Sequence, residues 1–169
     1  MSMIALRRLG RSPAVHLPIA VMLAVAFATR SAHANDRKTF PGSSCQGWGN
    51  VNAEIAATGG GGVLNASFTS AYTVSCPIVR DNTTNLNGAP DVLVYAYRDG
   101  STATALSCIF KVTRASDGTD YYSLTRSTSV SGNVSLTIPV TSSVSGGFYN
   151  LLCVLPPRSK IHGYITSEY

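Results

Sequence analysis

Apolar and polar residues alternate with a period of two through much of this chain, and that pattern admits few folds. Val74, Cys76 and Ile78 share one side of a run that starts at Tyr72, with Thr73 and Ser75 on the other. Leu106, Cys108, Phe110 and Val112 alternate with Ser107, Ile109 and Lys111, and Val134, Leu136, Ile138 and Val140 with Ser135 and Thr137. Successive side chains of an extended strand point to opposite faces, so each run predicts a half-buried strand. Asp91 to Tyr97 and Phe148 to Leu155 are apolar on both faces. Such strands sit centrally in a sheet or present one face to a ligand. Tyr121 to Arg126 and Ile161 to Thr166 are shorter candidates.

Turn chemistry separates the runs. Asn87-Gly88-Ala89-Pro90, Asp99-Gly100, Asp117-Gly118, Ser131-Gly132-Asn133 and Gly146-Gly147 each fall between two of them. Glycine and asparagine accept positive φ there, and aspartate side chains bind nearby amides. Asn52 to Ala57 has room for one helical turn before Gly59 to Gly62 end it, and that glycine stretch reads as a surface loop or the entry to a strand at Val63 to Ser67. With no amphipathic helix, linker or repeat, seven or eight strands at this spacing imply an all-β fold, a sandwich or a barrel. An immunoglobulin domain would place a tryptophan between bridged cysteines and a tyrosine two residues before the second. Trp48 instead sits beside the first cysteine, and Leu151 holds the tyrosine position. The expected architecture is a two-layer antiparallel sandwich, Greek-key or jelly-roll-like, with two disulfides.

The first 34 residues read differently. Arg7, Arg8 and Arg11 precede an apolar stretch from Leu17 to Ala28, and Ala32-His33-Ala34 offers a small-x-small cleavage site. This is the pattern of a secretory signal peptide, too short for a membrane anchor. It divides the chain into a leader, residues 1–34, and a single domain, residues 35–169. The leader takes Arg7, Arg8, Arg11 and Arg30 of the 13 basic residues, leaving nine against eight acidic ones, so the net charge falls from +5 to +1. The electrostatic motive for nucleic-acid binding goes with it. The expected location is secreted or periplasmic, with no stable membrane insertion after cleavage.

Cys45, Cys76, Cys108 and Cys153 all lie in the mature region. An even count in an exported chain reads as two disulfides, and no pair has the short spacing of a zinc site. Three pairings exist, between which the sequence does not choose; Cys45–Cys76 with Cys108–Cys153 is preferred. Each would close a loop of 31 or 45 positions, a chain-entropy stabilisation of roughly 3.5–4 kcal/mol apiece.

Catalytic chemistry finds little footing. His162 is the one histidine beyond the leader, near the C-terminus on an apparent edge strand, and a serine nucleophile needs such a base. Most of the eight carboxylates lie in or beside turn-like segments, and nothing in their spacing marks an acid pair of the glycosidase kind. Asp117-Gly118-Thr119-Asp120, and Asp81-Asn82 with Asn85, supply oxygen ligands without matching a calcium loop. No catalytic residue, metal or cofactor is expected. Tyrosines are the more suggestive group: Tyr95 and Tyr97 share one face of a predicted strand, and exposed rings there supply large contact area at low entropic cost. Arg80-Asp81 stands where a strand leaves the sheet, as an ion pair fixing the next loop or as a ligand-binding rim. Asn65-Ala66-Ser67, Asn82-Thr83-Thr84 and Asn133-Val134-Ser135 match the glycosylation pattern, which carries little meaning behind a bacterial-type leader.

Phe40 to Cys45, Asn65-Ala66-Ser67, the run Cys76-Pro77-Ile78-Val79-Arg80-Asp81, Ser107-Cys108, Leu152 to Pro156 and Tyr164 together carry a resemblance. The set resembles small exported bacterial proteins of unassigned function, for which a β-sandwich is predicted. The resemblance implies fold and compartment and brings no activity. The expected function is a secreted non-enzymatic binding domain with a polysaccharide or cell-surface partner and an oligomeric state left open. A pilin-like assembly subunit is the alternative, against which the charged start Asn35-Asp36-Arg37-Lys38 counts. A small hydrolase using His162 is the third reading.

Overall fold

The computed structural model describes residues 36–49, 54–80, 91–140 and 144–168. The candidate leader, Asp81, Asn82, Asn85, the candidate turn at 87–90 and Tyr169 lie outside them. The described strands are β1 (Asp36–Pro41), β2 (Gln46–Gly47), β3 (Ile55–Ala57), β4 (Val63–Asn65), β5 (Tyr72–Ile78), β6 (Asp91–Arg98), β7 (Leu106–Arg114), β8 (Asp120–Tyr122), β9 (Arg126–Thr128), β10 (Gly132–Ile138), β11 (Gly147–Leu155) and β12 (Lys160–Glu168), with a short 3-10 turn at Gly42–Ser44.

All pairings are antiparallel, in two sheets. Sheet A runs β10-β6-β12-β4-β3, and β1 pairs with β12 beyond β4. Sheet B runs β2-β5-β11-β7-β8, with β9 also on β7. From β5 onward the chain alternates sheets at β6, β7, β10, β11 and β12. The orders β5-β11-β7-β9 and β10-β6-β12-β1 are those of a jelly roll.

Alternation builds the core. Val74, Cys76 and Ile78 of β5, Leu106, Cys108, Phe110 and Val112 of β7, and Tyr149, Leu151, Cys153 and Leu155 of β11 face inward from sheet B. They meet Val92, Val94 and Ala96 of β6, Leu136 and Ile138 of β10, and Ile161 and Tyr164 of β12. Phe40 of β1 stacks on Tyr164 with ring centroids 5.0 Å apart. The Tyr164 hydroxyl then crosses the core to donate to the Pro77 carbonyl of β5.

The bridges join Cys45 to Cys76 and Cys108 to Cys153. Cys153 stands directly opposite Cys108 in the β11–β7 register. Gln46 opposes Ser75, which brings Cys45 opposite Cys76. Cα separations of 4.1 and 4.0 Å are those of close cross-strand pairs. Both bridges therefore brace sheet B internally; the core, not a disulfide, holds the sheets together.

Four local expectations change. No helical turn forms at Glu54–Ala57: Ile55–Ala57 is a strand that pairs with β4. Its hairpin closes through Thr58, whose N–H donates to the Gly62 carbonyl (2.8 Å) and whose Oγ1 accepts from the Gly62 N–H (3.1 Å). The candidate strand Tyr121–Arg126 is broken at Ser123, whose N–H donates to the Phe110 carbonyl of β7 (2.9 Å) while its side-chain Oγ accepts the Phe110 N–H (2.9 Å). Charged Asp36–Pro41 is a strand in spite of its composition, paired with Gly163–Glu168. His162 is not on an edge: β12 lies between β6 and the β1/β4 pair.

Candidate functional site

Two features of sheet A place Tyr95 and Tyr97 on an open surface. Val94 and Ala96 of β6 point into the core, which turns Leu93, Tyr95 and Tyr97 outward, the two rings 43% and 38% exposed. At about 3.4 Å per residue they stand roughly 7 Å apart along one row. Their cross-strand neighbours are small or polar. Ser135 of β10 and Gly163 of β12 flank Tyr95; Asn133 and Lys160 flank Tyr97.

The β12 side of this face is shaped by a bulge. Ile161 opposes Ala96 and Gly163 opposes Tyr95, leaving His162 as the extra residue. The bulge switches parity, so that Ile161 and Tyr164 both reach the core while His162 remains on the surface. Glycine fixes its setting: a Cβ on Gly163 would lie 2.8 Å from the Phe40 carbonyl oxygen, and one on Gly42 would lie 2.2 Å from that of Ile161. Partial burial, then the charge of Lys160, lower the His162 pKa from 6.5. At neutral pH the face thus carries a neutral imidazole, one ammonium, a hydroxyl and an amide around two phenol rings. Such a set can stack on an apolar ring face and exchange hydrogen bonds at its rim.

Arg80 is elsewhere. It follows β5 in sheet B and is buried, its guanidinium carbon 4.9 Å from the Tyr149 ring centroid. Nη1 donates to the Tyr149 hydroxyl at 3.0 Å, and that hydroxyl donates to the Val144 carbonyl at 2.8 Å. Arg80 and the Tyr95–Tyr97 pair are not brought together, and Asp81 lies outside the described residues. Tyr149 and Tyr164 are core residues.

The acidic turns are engaged locally. Asp117 pairs with Arg114 (3.0 Å) and accepts the Thr119 N–H (2.9 Å); Asp99 pairs with Arg158 (3.4 Å). Asn65 of the first glycosylation match is fully buried. Its amide donates to the carbonyls of Ser70 (2.8 Å), Leu155 (2.9 Å) and Pro156 (3.1 Å), and its oxygen accepts the Ser67 N–H (3.0 Å), which closes it to glycan attachment in the folded protein.

Sequence reasoning missed the exposed aromatics of sheet B. Trp48, Tyr122 and Phe148 are all at least half exposed. For Phe148 the signal was present: if Tyr149, Leu151 and Cys153 face inward, Phe148 must face out. For Trp48 and Tyr122, flanked by turn residues and short strands, it was not.

No protein-family model and no curated protein sequence matches this chain. Among solved structures, it is similar to the CBM36-1 domain of a multidomain xylanase from the hindgut metagenome of Trinervitermes trinervoides (12% identity, TM-score 0.48, covering 78% of this chain and 96% of that one). It is also similar to the C-terminal CBM6 of LamC, a laminarinase from Zobellia galactanivorans (12%, 0.42, covering 78% and 98%). A third is the Podospora anserina GH26-CBM35 β-(1,4)-mannanase (10%, 0.46, covering 80% of this chain), of which the chain spans only 28%. At such identities and scores the likeness says nothing about a ligand.

Proposed function

We propose that this protein is an exported, non-catalytic glycan-binding domain, and that the outer face of sheet A binds the glycan. The observation that carries the reading is the Tyr95–Tyr97 row: two outward rings on an interior strand, with Ser135, Gly163, Asn133 and Lys160 beside them. Sugar units offer apolar C–H faces ringed by hydroxyls, and this surface offers aromatic area with donors and acceptors at its rim. Export is supported by the leader pattern and by two buried disulfides, which persist in oxidising compartments.

Neither competing reading gains from the structure. An exchanged strand in a pilin-like assembly would need an open place beside a core strand; β1 occupies the one beside Gly163–Glu168 of β12. A hydrolase would need His162 poised at a cleft, and it sits instead on an open sheet face.

Affinity electrophoresis through gels containing soluble polysaccharides tests the proposal. Wild-type protein is expected to be retarded by at least one, and Tyr95→Ala/Tyr97→Ala to run freely while keeping its fold by circular dichroism. Equal mobility of the two proteins in every retarding gel, or no retardation of wild type in any, overturns it.

A further inference from the structure

The outer face of sheet B carries a second, better-organised aromatic cluster. Asn150 opposes both Pro77 and Lys111, and Lys111 opposes Tyr122, so the four share one row across β5, β11, β7 and β8. The Lys111 ammonium lies 5.3 Å from the ring centroid of Trp48 and 6.0 Å from that of Tyr122. It pairs with Asp120 at 2.9 Å. Asp120 is held in turn, accepting from the Thr113 hydroxyl (2.6 Å) and the Tyr122 hydroxyl (3.3 Å). Cation–π attraction orients both rings and the bond to Asp120 also holds Tyr122, yet 50% of Trp48 and 51% of Tyr122 remain exposed. Rings fixed before binding lose little entropy on binding.

The cluster borders a trough. One groove of about 280 Å³ lies between Trp48 and the Pro77–Asn150 pair. A second, of about 500 Å³, runs past exposed Phe148 and Val79 and shares Pro77 and Asn150 with the first. Each is within or near the size of a small-ligand site, and together they are elongated.

Charge selects the occupant. Lys111 is already paired with Asp120, whose carboxylate would repel an acidic polymer, and Arg80, which lines the larger groove, is buried against the Tyr149 ring and bonds to its hydroxyl. A purely apolar partner would bury the ion pair without replacing its water, which is costly. A neutral sugar chain avoids both penalties: its hydroxyls can bond to Lys111, Asp120 and the Asn150 amide while its C–H faces cover the rings. We propose that this trough is a second saccharide site, specific for neutral oligosaccharides, in which Trp48 and Tyr122 stack on sugar and Lys111, set between the two rings, meets the sugar hydroxyls. The inference rests on the glycan-binding reading above.

Trp48 is the only tryptophan of the chain, so its emission reports on this trough alone. Wild-type protein and Tyr95→Ala/Tyr97→Ala are titrated with β-1,4- and α-1,4-linked glucose hexamers, with polygalacturonate as the acidic control, by fluorescence and calorimetry in parallel. A saturable blue shift with a neutral hexamer in both proteins is expected. Tyr122→Ala should weaken it about tenfold; Lys111→Met should weaken it too, and Lys111→Arg should restore it. Calorimetric binding with no change in Trp48 emission, or a shift that vanishes with Tyr95 and Tyr97, overturns this site and leaves the sheet A reading standing. A shift tighter with polygalacturonate, or one produced by raising protein concentration without sugar, overturns the neutral-saccharide assignment. Silence by both methods removes both readings.

Discussion

Replacing Arg98 by lysine keeps the charge and should still destabilise the domain severely. Arg98 closes the inward row of β6 and is only 3% exposed. A guanidinium has five N–H donors, and the geometry uses each. Nε donates to the Thr104 carbonyl (3.1 Å), Nη1 to the Ser129 carbonyl (2.8 Å) and Ser131 Oγ (3.4 Å), and Nη2 to the carbonyls of Thr102 (2.6 Å) and Thr104 (2.9 Å). These acceptors lie in the β6–β7 and β9–β10 connections, which both cross between the sheets. Arg98 thus ties two crossovers together at one end of the sandwich. An ammonium has three donors radiating from one point, so at least two bonds are lost. Hydrogen bonds to charged groups are worth about 1.5–3 kcal/mol each, and the loop carbonyls recover some water, which sets the cost of Arg98→Lys at about 3–4 kcal/mol. Urea unfolding followed by far-UV circular dichroism measures it, and a midpoint loss of roughly 10 °C should accompany it in thermal melts. The Asp99 amide, bonded to Ser159 Oγ at 3.1 Å, should exchange faster in the variant. A loss below about 1 kcal/mol with unchanged exchange would refute the tie.

Other perturbations probe other parts of the fold. Asn65→Asp sets a carboxylate against the carbonyls of Ser70, Leu155 and Pro156 and should cost about 3–5 kcal/mol by denaturant titration, against about 2–3 for Asn65→Ala. Tyr164→Phe removes the bond to Pro77 across the core and should cost about 1–3 kcal/mol. Burial raises the Tyr164 pKa above its usual 10.0. The folded state therefore holds this proton where the unfolded chain releases it, and alkaline titration should show stability falling as pH rises past about 10. Asp120 titrates below its ordinary 3.8, through its bonds to Thr113 and then Lys111; the sheet B cluster should persist above that pH and loosen as pH falls below it, seen as a change in Trp48 emission. Cys108→Ser/Cys153→Ser should lose about 4 kcal/mol by the loop-closure relation for 45 positions.

Much of the fold was legible because one face of each long strand is buried. The even positions of β7 and the odd positions of β11 are apolar where they meet the core, so period-two reading found those strands. It failed where the main chain, not the side chains, decides. The Ile161–Gly163 bulge changes which parity points inward, and no local pattern announces it. The hairpin at Thr58–Gly62 rests on main-chain hydrogen bonds and on glycines that admit close approach. β1 carries one apolar side chain that packs on the core, Phe40, too little for an alternation to announce its pairing with β12. The disulfide pairing was one of three by spacing; it follows from register, which brings Cys153 opposite Cys108 only once β11 and β7 are neighbours. Of the candidate site, the outward row of Tyr95 and Tyr97 followed from alternation. The Trp48–Lys111–Tyr122 cluster joins residues from β7, β8 and the segment after β2, a conjunction that exists only in three dimensions.

Nitrogen-15 heteronuclear NMR of the protein, titrated with a neutral glucose hexamer, tests the account most directly. Saturable shifts should gather at Tyr95, Tyr97, Ser135 and Gly163 on sheet A and at Asn150, Lys111 and Tyr122 on sheet B, leaving the amides of Val94, Cys76 and Leu151 nearly still. Spectra that do not change across a range of neutral and acidic oligosaccharides, or shifts confined to residues remote from both outer faces, would contradict it.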